Sequence, residues 1–342
     1  MDNNSNYTDY GKDGIFDKPP KRKMNWLRFA LMLIIIGGIM AGGAWMTGAR
    51  GGTIGWNRGP LFFATPIGSG ETHNISVRPQ GINELIIYSS SARVTIRTNH
   101  RSNDFAIEFQ GLPPNYDVSG GTLTVDARPA QVIRGINFFG FGFGGYAVSV
   151  DVPAGMALDV RVSSSSGGVD IRHPNFGELQ VSTSSGRIEI ERTEASDGIW
   201  LSASSGRISA EYVVAPSGSF SSSSGRIEIS DSHFDNLNVS SSSGRQEIED
   251  VSWQNLQASS SSGRISIDDA RIRLATGSTN ISASSGSINL TVDGNESDFN
   301  YYLRSNSGSI RVNGERRETR NIGNLHDINI RTTSGSIRLN FD

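Results

Sequence analysis

The sequence contains no cysteine among its 342 residues. Disulfides, thiol catalysis and thiolate metal sites are therefore all excluded. Lysine is absent from most of the chain as well, since none occurs after Lys23. The larger part of the protein therefore has no Schiff-base lysine and no lysine–asparagine isopeptide crosslink. A surface protein without disulfides must draw its stability from its core and its hydrogen-bonded strands.

Charge and apolar residues are unevenly distributed at the N-terminus. Residues 1–28 carry six basic and four acidic side chains, whereas the remainder carries 25 arginines against 30 aspartates and glutamates. A run of 19 uncharged, mostly apolar residues follows at 29–47, long enough to span about 28 Å as a helix. Trp26 and Trp45 stand at its two edges, where amphipathic rings prefer the membrane interface.

These features predict a single-pass membrane protein. Residues 1–25 are expected to be a disordered cytoplasmic tail and residues 26–47 a transmembrane helix. Because the basic cluster precedes the helix, the positive-inside rule places everything beyond it outside the cytoplasm. Gly38 and Gly42 form a GxxxG pair that permits close helix packing. The alternative is a cleaved signal peptide, for which Gly42 and Ala44 are small enough.

Internal repetition is the strongest signal in the chain. The unit S-x-S-S-G-R-I-x-I recurs nine times, with spacings of 19, 20, 19, 19, 19, 23, 22 and 27 residues. Its glycines are Gly167, Gly186, Gly206, Gly225, Gly244, Gly263, Gly286, Gly308 and Gly335. Serine precedes every one of them. Glycine is expected at this turn because it tolerates a positive φ.

Apolar side chains recur two and four residues after each glycine and five residues before it. Even spacing puts each set on one face of a strand. We therefore predict an all-β fold, a β-solenoid with two facing sheets whose copies stack like upon like. An antiparallel β-sandwich of repeated hairpins is the alternative. Gln246 breaks the otherwise apolar column two residues after glycine.

The region before the nine copies also alternates. Residues 48–80 are expected to be a juxtamembrane linker, and 81–162 to hold degenerate first rungs, with Ala92 at the glycine position. Residues 136–147 form a glycine–aromatic loop, interpreted as a cap or as an exposed lip. The nine-copy domain spans 163–342.

The basic tail, the apolar helix, the segment VSVDVPAGMALDV and the SSSGxIxI copies carry a family resemblance. Together they resemble the bacterial putative-adhesin family of β-strand-repeat surface proteins, over about residues 25–342. The resemblance implies a membrane-anchored β-repeat module without catalytic residues. Some relatives accompany cell-envelope stress systems.

No motif for catalysis, cofactors or metals accompanies the repeat. The five histidines lack metal-ligand spacing and are interpreted as solvated loop residues, so no metal, cofactor or enzymatic activity is predicted. The first functional hypothesis is a cell-surface module that adheres to a polymer. The alternative is a structural or signalling part of an envelope-stress assembly. Expected partners are the lipid bilayer, an anionic or glycan envelope polymer and other membrane proteins, and no nucleic acid.

Two columns of side chains are candidate polymer-binding sites. Directly after glycine stand five arginines: Arg187, Arg207, Arg226, Arg245 and Arg264. They form either a surface salt-bridge ladder with Glu189, Glu228 and Glu247 or a ridge with spare donors for anionic groups. Two residues before glycine stand Ser184, Ser204, Ser223, Ser242 and Ser261. With the serines four residues before glycine, they form either a solvated ladder or a flat hydroxyl array for a glycan.

Overall fold

The computed structural model describes residues 72–110, 114–128, 147–173, 175–272, 277–321 and 325–342, together with the backbone of short strands at 53–55, 62–64 and 135–136. Most of these residues are in β-strands, and the described part of the chain has one turn of 3-10 helix at Glu296–Asp298. No helix within this part of the chain is long and apolar enough to cross a membrane. The predicted tail and membrane helix, with Gly38 and Gly42, lie outside it, as does most of the glycine–aromatic loop.

The strands are numbered in chain order. Those before the nine copies are β1 (Thr53–Gly55), β2 (Phe62–Ala64), β3 (Thr72–Val77), β4 (Glu84–Ser89), β5 (Arg93–Asn99), β6 (Phe105–Gln110), β7 (Asn115–Ser119), β8 (Thr122–Ala127), β9 (Gly135–Ile136) and β10 (Ala147–Pro153). The next are β11 (Leu158–Ser164), β12 (Val169–Arg172), β13 (Asn175–Thr183), β14 (Ile188–Ala203), β15 (Ile208–Ser222), β16 (Ile227–Ser230), β17 (His233–Ser241), β18 (Gln246–Glu249) and β19 (Ser252–Trp253). The last are β20 (Asn255–Ser260), β21 (Ile265–Ile272), β22 (Ser278–Ser285), β23 (Ile288–Val292), β24 (Phe299–Ser307), β25 (Ile310–Val312), β26 (Thr319–Arg320), β27 (His326–Ser334) and β28 (Ile337–Phe341).

Strands of successive copies pair in parallel, like upon like. Segments before the glycine pair with one another, for example Phe220 with Val239, and form what we call the pre-glycine ladder. Segments after the glycine pair likewise, for example Ile227 with Gln246, and form the post-glycine ladder. Parallel in-register stacking is the predicted solenoid-like arrangement and excludes the sandwich of antiparallel hairpins for the copies.

The predicted inward columns are confirmed, because the two ladders enclose one hydrophobic core. All nine side chains two residues after glycine are buried, including Gln246. The columns four residues after and five residues before glycine are buried as well. The largest fully buried side chain is Trp253, whose indole nitrogen donates to Thr279 at 2.9 Å.

The copies do not stack in sequence order throughout. Strand β27 pairs with β22 on one side and β24 on the other, and β28 lies between β23 and β25. The Gly335 copy is therefore inserted between the Gly286 and Gly308 copies. At the other end, β4 pairs with β11 and β5 with β12, so the Ala92 turn forms the rung directly before the Gly167 copy.

The turn glycines serve close approach between copies rather than a left-handed backbone. None of the nine has a positive φ, contrary to the sequence-based expectation. A Cβ built on Gly225 would instead lie 1.7 Å from the carbonyl oxygen of Gly206, and one on Gly244 would lie 1.8 Å from that of Gly225. Left-handed residues occur at the next corner, six residues after glycine, at Arg192, Tyr212, Asp231, Asp250 and Asp269.

Antiparallel strands complete the N-terminal end of the post-glycine ladder. Strand β10 pairs in parallel with β5 and antiparallel with β6, and β6 pairs antiparallel with β3. The expected linker at 48–80 is shortened accordingly, because Thr72–Val77 is a strand of this sheet. Strands β1, β2 and β9 form a separate three-stranded antiparallel sheet.

Glu296 is the centre of a polar cluster at the C-terminal end of the stack. Its carboxylate accepts hydrogen bonds from the Tyr301 hydroxyl at 2.9 Å and from the Asn313 amide at 3.1 Å. It also pairs with Arg317 at 3.1 Å and Arg320 at 3.4 Å. Burial alone would raise the pKa of Glu296, but the Tyr301 hydroxyl and the charges of Arg317 and Arg320 hold it below its ordinary value of 4.5. The cluster thereby ties the loop around residues 313–320 to the core.

We expect Glu296→Gln to lower stability at neutral pH by about 1–2 kcal/mol, since charge-assisted hydrogen bonds are lost. A carboxylate whose folded-state pKa is lowered stabilises the fold above its ordinary pKa, and this contribution is lost as the pH falls through the folded-state value. Thermal unfolding from pH 7 downward should therefore show the gap to wild type closing below about 4.5. Glu315→Gln is the control, because Glu315 contacts the same Arg317 from an exposed position. A gap that stays constant with pH would contradict this role.

Candidate functional site

A serine-rich edge runs along the stack where each pre-glycine strand enters its turn. In the Gly225 copy, Ser221 lies on the outer face of the strand, Ser222 is buried, and Ser223 is exposed in the turn. The buried hydroxyl closes the turn, since Ser222 Oγ accepts a hydrogen bond from the Gly225 amide at 2.8 Å. In the next copy Ser241 Oγ donates to the Gly244 carbonyl at 3.1 Å.

The candidate serines two residues before glycine lie in turns, not on the strand face where they were expected. Ser184, Ser204, Ser223, Ser242 and Ser261 all follow the last strand residue and are all exposed. They still stack in register, because each amide donates to the carbonyl of the preceding copy, as Ser223 does to Ala203 at 3.2 Å. The two predicted serine columns are therefore separated by a buried column.

A shallow groove of about 260 Å³ follows from this arrangement. Its walls and floor are Ser202, Ala203, Ser204, Ser221, Ser222, Ser223, Ser240, Ser241 and Ser242. We call it the serine groove. It runs across three copies, and its walls present hydroxyls, each of which can donate and accept hydrogen bonds.

The sheet face beside the groove carries no charge over five copies. Four residues before glycine, its outward column is Ser202, Ser221, Ser240, Ser259 and Ser282. Six residues before glycine, the column is Trp200, Ser219, Asn238, Gln257 and Asn280. Eight residues before glycine, it is Gly198, Ser217, Asn236, Asn255 and Ser278. Amides bond from copy to copy, since Asn255 Nδ2 donates to Asn236 Oδ1 at 3.0 Å. Trp200 is 37% exposed. Sequence reasoning identified only one column of this face, the serines four residues before glycine. It missed the columns six and eight residues before glycine, although their recurring amides were a visible signal.

The candidate arginines form a column that is ion-paired in its middle. Arg226 lies 3.0 Å from Glu228 and 3.7 Å from Glu247, and the resulting hydrogen bond and charges raise the pKa of Arg226. Arg207 also pairs with Glu228, at 3.7 Å, and Arg245 with Glu247, at 3.0 Å. The salt-bridge ladder, one of the two alternatives, is therefore present at Glu228 and Glu247.

The ends of the arginine column differ from the expected pairing. No ion pair joins Arg187 to Glu189 or to another acid in the described part of the chain. Arg207, which has Ser209 rather than a glutamate two residues on, pairs with Glu228 of the next copy. Arg264 donates to the Ser287 hydroxyl at 3.2 Å. Spare charge therefore lies at the two ends of the column rather than along it.

Two histidines are core residues rather than solvated loop residues. His173 and His326 are fully buried. Burial lowers the pKa of His173, whose ring nitrogens contact Met156 O and Thr98 Oγ1, both at 3.0 Å. Among the described residues, no group of three or more His, Asp or Glu side chains could hold a metal ion.

Residues 82–340 match the family model of Toastrack DUF4097, which covers well over half of the chain. The chain belongs to the Toastrack DUF4097 family. Membership confirms the resemblance to the bacterial β-strand-repeat adhesin-like family and the all-β repeat fold. The Toastrack match begins at Ile82, within the rung that contains Ala92. None of the curated proteins matches this Toastrack chain.

Solved structures similar to this Toastrack chain include two putative adhesins and a putative lipid binding protein. A putative adhesin from Bacteroides fragilis NCTC 9343 is 13% identical, with 79% of this chain and 96% of that one aligned and a TM-score of 0.41. A putative adhesin from Parabacteroides merdae ATCC 43184 is 13% identical over 79% and 95%, with a TM-score of 0.46. A putative lipid binding protein from Parabacteroides distasonis ATCC 8503 is 17% identical over 79% and 96%, also with a TM-score of 0.46.

Proposed function

We propose that this Toastrack protein is a membrane-anchored, non-catalytic surface module that binds a hydroxylated cell-envelope polymer along the serine groove. The observation that carries the proposal is the uncharged hydroxyl and amide surface, which repeats in register across four copies, from the Gly225 copy to the Gly286 copy. A repeating ligand meets such a surface with the same hydrogen bonds at each copy, about 4.8 Å apart.

The absence of a catalytic role is part of the same proposal. Serine hydroxyls act as nucleophiles when a basic group within hydrogen-bond reach activates them. Among the described residues, the buried groove serines Ser222 and Ser241 bond instead to turn backbone, and Ser241 also donates to the Ser260 hydroxyl at 3.3 Å. The arrangement supports recognition rather than chemistry.

Anchoring and surface location are part of the proposal and rest on the apolar segment 26–47 and the basic residues before it. The signalling alternative would act through residues 1–47, which lie outside the described part of the chain.

We expect the double substitution Ser223→Asp and Ser242→Asp to abolish retention of the full-length chain in affinity gels containing dextran or hydroxyethyl cellulose. Both positions are exposed walls of the groove, so carboxylates there displace ligand hydroxyls without disturbing the core. The matched control is Ser224→Asp with Ser243→Asp. These neighbours are exposed on the same turns and do not line the groove.

Binding at the groove is supported if the gels still retain the control variant but no longer retain the test variant, and if the two variants have equal melting temperatures. Equal loss in both variants would show that added charge alone is responsible. A wild-type chain that binds neither these polymers nor purified envelope polysaccharide would overturn the proposed function.

A further inference from the structure

Insertion of the last copy brings two arginines together. Arg331 of the Gly335 copy lies directly beside Arg304 of the Gly308 copy, in the column that is serine in the preceding copies. Both side chains are exposed, and neither forms an ion pair with an acid in the described residues. Like charges directly opposite one another on neighbouring strands are destabilising, so an anion between them would be favourable.

A cavity of about 370 Å³ opens beside this pair. Its lining consists of Ser260, Ser282, Ala283, Ser284, Arg304, Asn306, Arg331, Thr332 and Thr333. The cavity therefore occupies the same position between strand and turn as the serine groove, but here two guanidinium groups and an amide replace serines. Arg331 Cζ lies 5.9 Å from the centre of the Tyr302 ring, a cation–π contact that restricts its guanidinium.

Thr332, at the floor of this cavity, has an unused hydroxyl. Its side chain is only 5% exposed, and Thr332 Oγ1 has no hydrogen-bond partner. In the nine glycine copies, the other described hydroxyls at this position each bond to a turn glycine, namely Ser164, Thr183, Ser222, Ser241, Ser260 and Ser305. A buried hydroxyl without a partner is costly, so this departure from the repeat calls for a bound group.

We propose that Arg304, Arg331 and Thr332 form an oxyanion site, which takes a phosphate or carboxylate group carried by a polyhydroxylated chain. Two guanidinium groups on strands about 4.8 Å apart can hold one such group by charge-assisted hydrogen bonds, and rotation of Thr332 adds a hydroxyl donor. The identity of the chain rests on the proposed function, whereas the oxyanion site stands on its own geometry.

The test compares two double variants of the full-length chain that each remove two positive charges. Arg304→Gln with Arg331→Gln should weaken binding of poly(glycerol phosphate) and of polygalacturonate by about tenfold or more. Arg187→Gln with Arg264→Gln, which neutralises the ends of the arginine column, should leave both affinities unchanged. The polymer with the larger loss identifies the group as phosphate or carboxylate.

A third variant distinguishes binding from folding. Thr332→Val keeps the side-chain shape and removes a hydroxyl that has no partner in the fold, so its melting temperature should equal or exceed that of wild type. Its affinity for the preferred polymer should nevertheless fall several-fold. A purely structural residue would change the melting temperature and leave the affinity intact.

The possible results of these binding tests distinguish the oxyanion-site proposal from the serine-groove proposal. Loss of anionic-polymer binding in the Arg304/Arg331 variant with neutral-polymer binding intact supports both proposals. Binding of anionic but not neutral polymers, still dependent on Arg304 and Arg331, supports the oxyanion site and overturns the groove. Anionic-polymer binding that is absent in wild type, unchanged in the Arg304/Arg331 variant, or lost instead in the Arg187/Arg264 variant overturns the oxyanion site.

Discussion

Gly225→Ala is expected to be the most damaging single-atom addition in the repeat, costing about 4 kcal/mol or more. The new methyl group would lie 1.7 Å from the Gly206 carbonyl oxygen and 2.9 Å from Ser222 Oγ. Neither neighbour can yield, because that carbonyl is backbone of the preceding copy and the hydroxyl is bonded to the Gly225 amide. The copies must separate or the chain must unfold, which urea denaturation would record as a large fall in midpoint.

The matched control is Gly168→Ala, one residue beyond the same turn of an earlier copy. A Cβ there would have its nearest contact at 3.7 Å, to the Arg187 carbonyl oxygen, and its φ is not positive. We expect its stability to be unchanged or higher by up to about 1 kcal/mol. If both substitutions were tolerated alike, close packing of the turns would not be what requires glycine.

Ala92 shows the same principle within the native sequence. It occupies the glycine position of the first rung, where the described residues include no earlier copy whose carbonyl its methyl group would meet. A Cβ on Gly167 would already lie 1.9 Å from the Ala92 carbonyl oxygen. Sequence reasoning identified Ala92 as the turn residue but explained glycine by backbone conformation, since contacts between copies are not visible within one copy.

The inward columns could be predicted from sequence because successive side chains of a strand point to opposite faces. When one alternating set is apolar in nearly every copy, that set must face the core. The order of the copies could not be predicted in this way. A spacing of 27 residues before Gly335 indicates a longer loop, but only the pairing of Thr332 with both Ala283 and Ser305 shows where that loop returns. The Arg304–Arg331 pair therefore could not be predicted from sequence, since these residues are neighbours only because the Gly335 copy is inserted beside the Gly308 copy.

The candidate site could be predicted from sequence only in part, for a related reason. Composition identified the serine and arginine columns, and register predicted which faces they share. Which arginines are paired depends on side-chain reach between copies: Glu228 contacts Arg207 of one copy and Arg226 of its own, whereas Glu189 pairs with neither neighbour in the described residues. Such choices among equivalent partners are decided by packing rather than by spacing.

Gln246 and Ile227 provide the sharpest test of the core, because they are direct neighbours in one buried column. Gln246 Nε2 donates to the Ser259 carbonyl at 2.6 Å and to Ser241 Oγ at 3.0 Å, while its Oε1 has no partner. The amide nitrogen therefore has hydrogen-bond partners, whereas the amide oxygen is buried without one. Gln246→Ile should therefore stabilise the fold by about 1 kcal/mol, as apolar contact replaces an unpaired oxygen.

The reverse change, Ile227→Gln, should destabilise by about 3 kcal/mol. Equivalent amide partners exist at Ser222 Oγ and the Ser240 carbonyl, but the new Oε1 would be as unpaired as that of Gln246. Ile227 also gives up full burial between Ile208 and Gln246. Chemical denaturation of both variants measures the two effects with opposite signs. Small shifts of the same sign in both would mean that this column does not form the core between the two ladders.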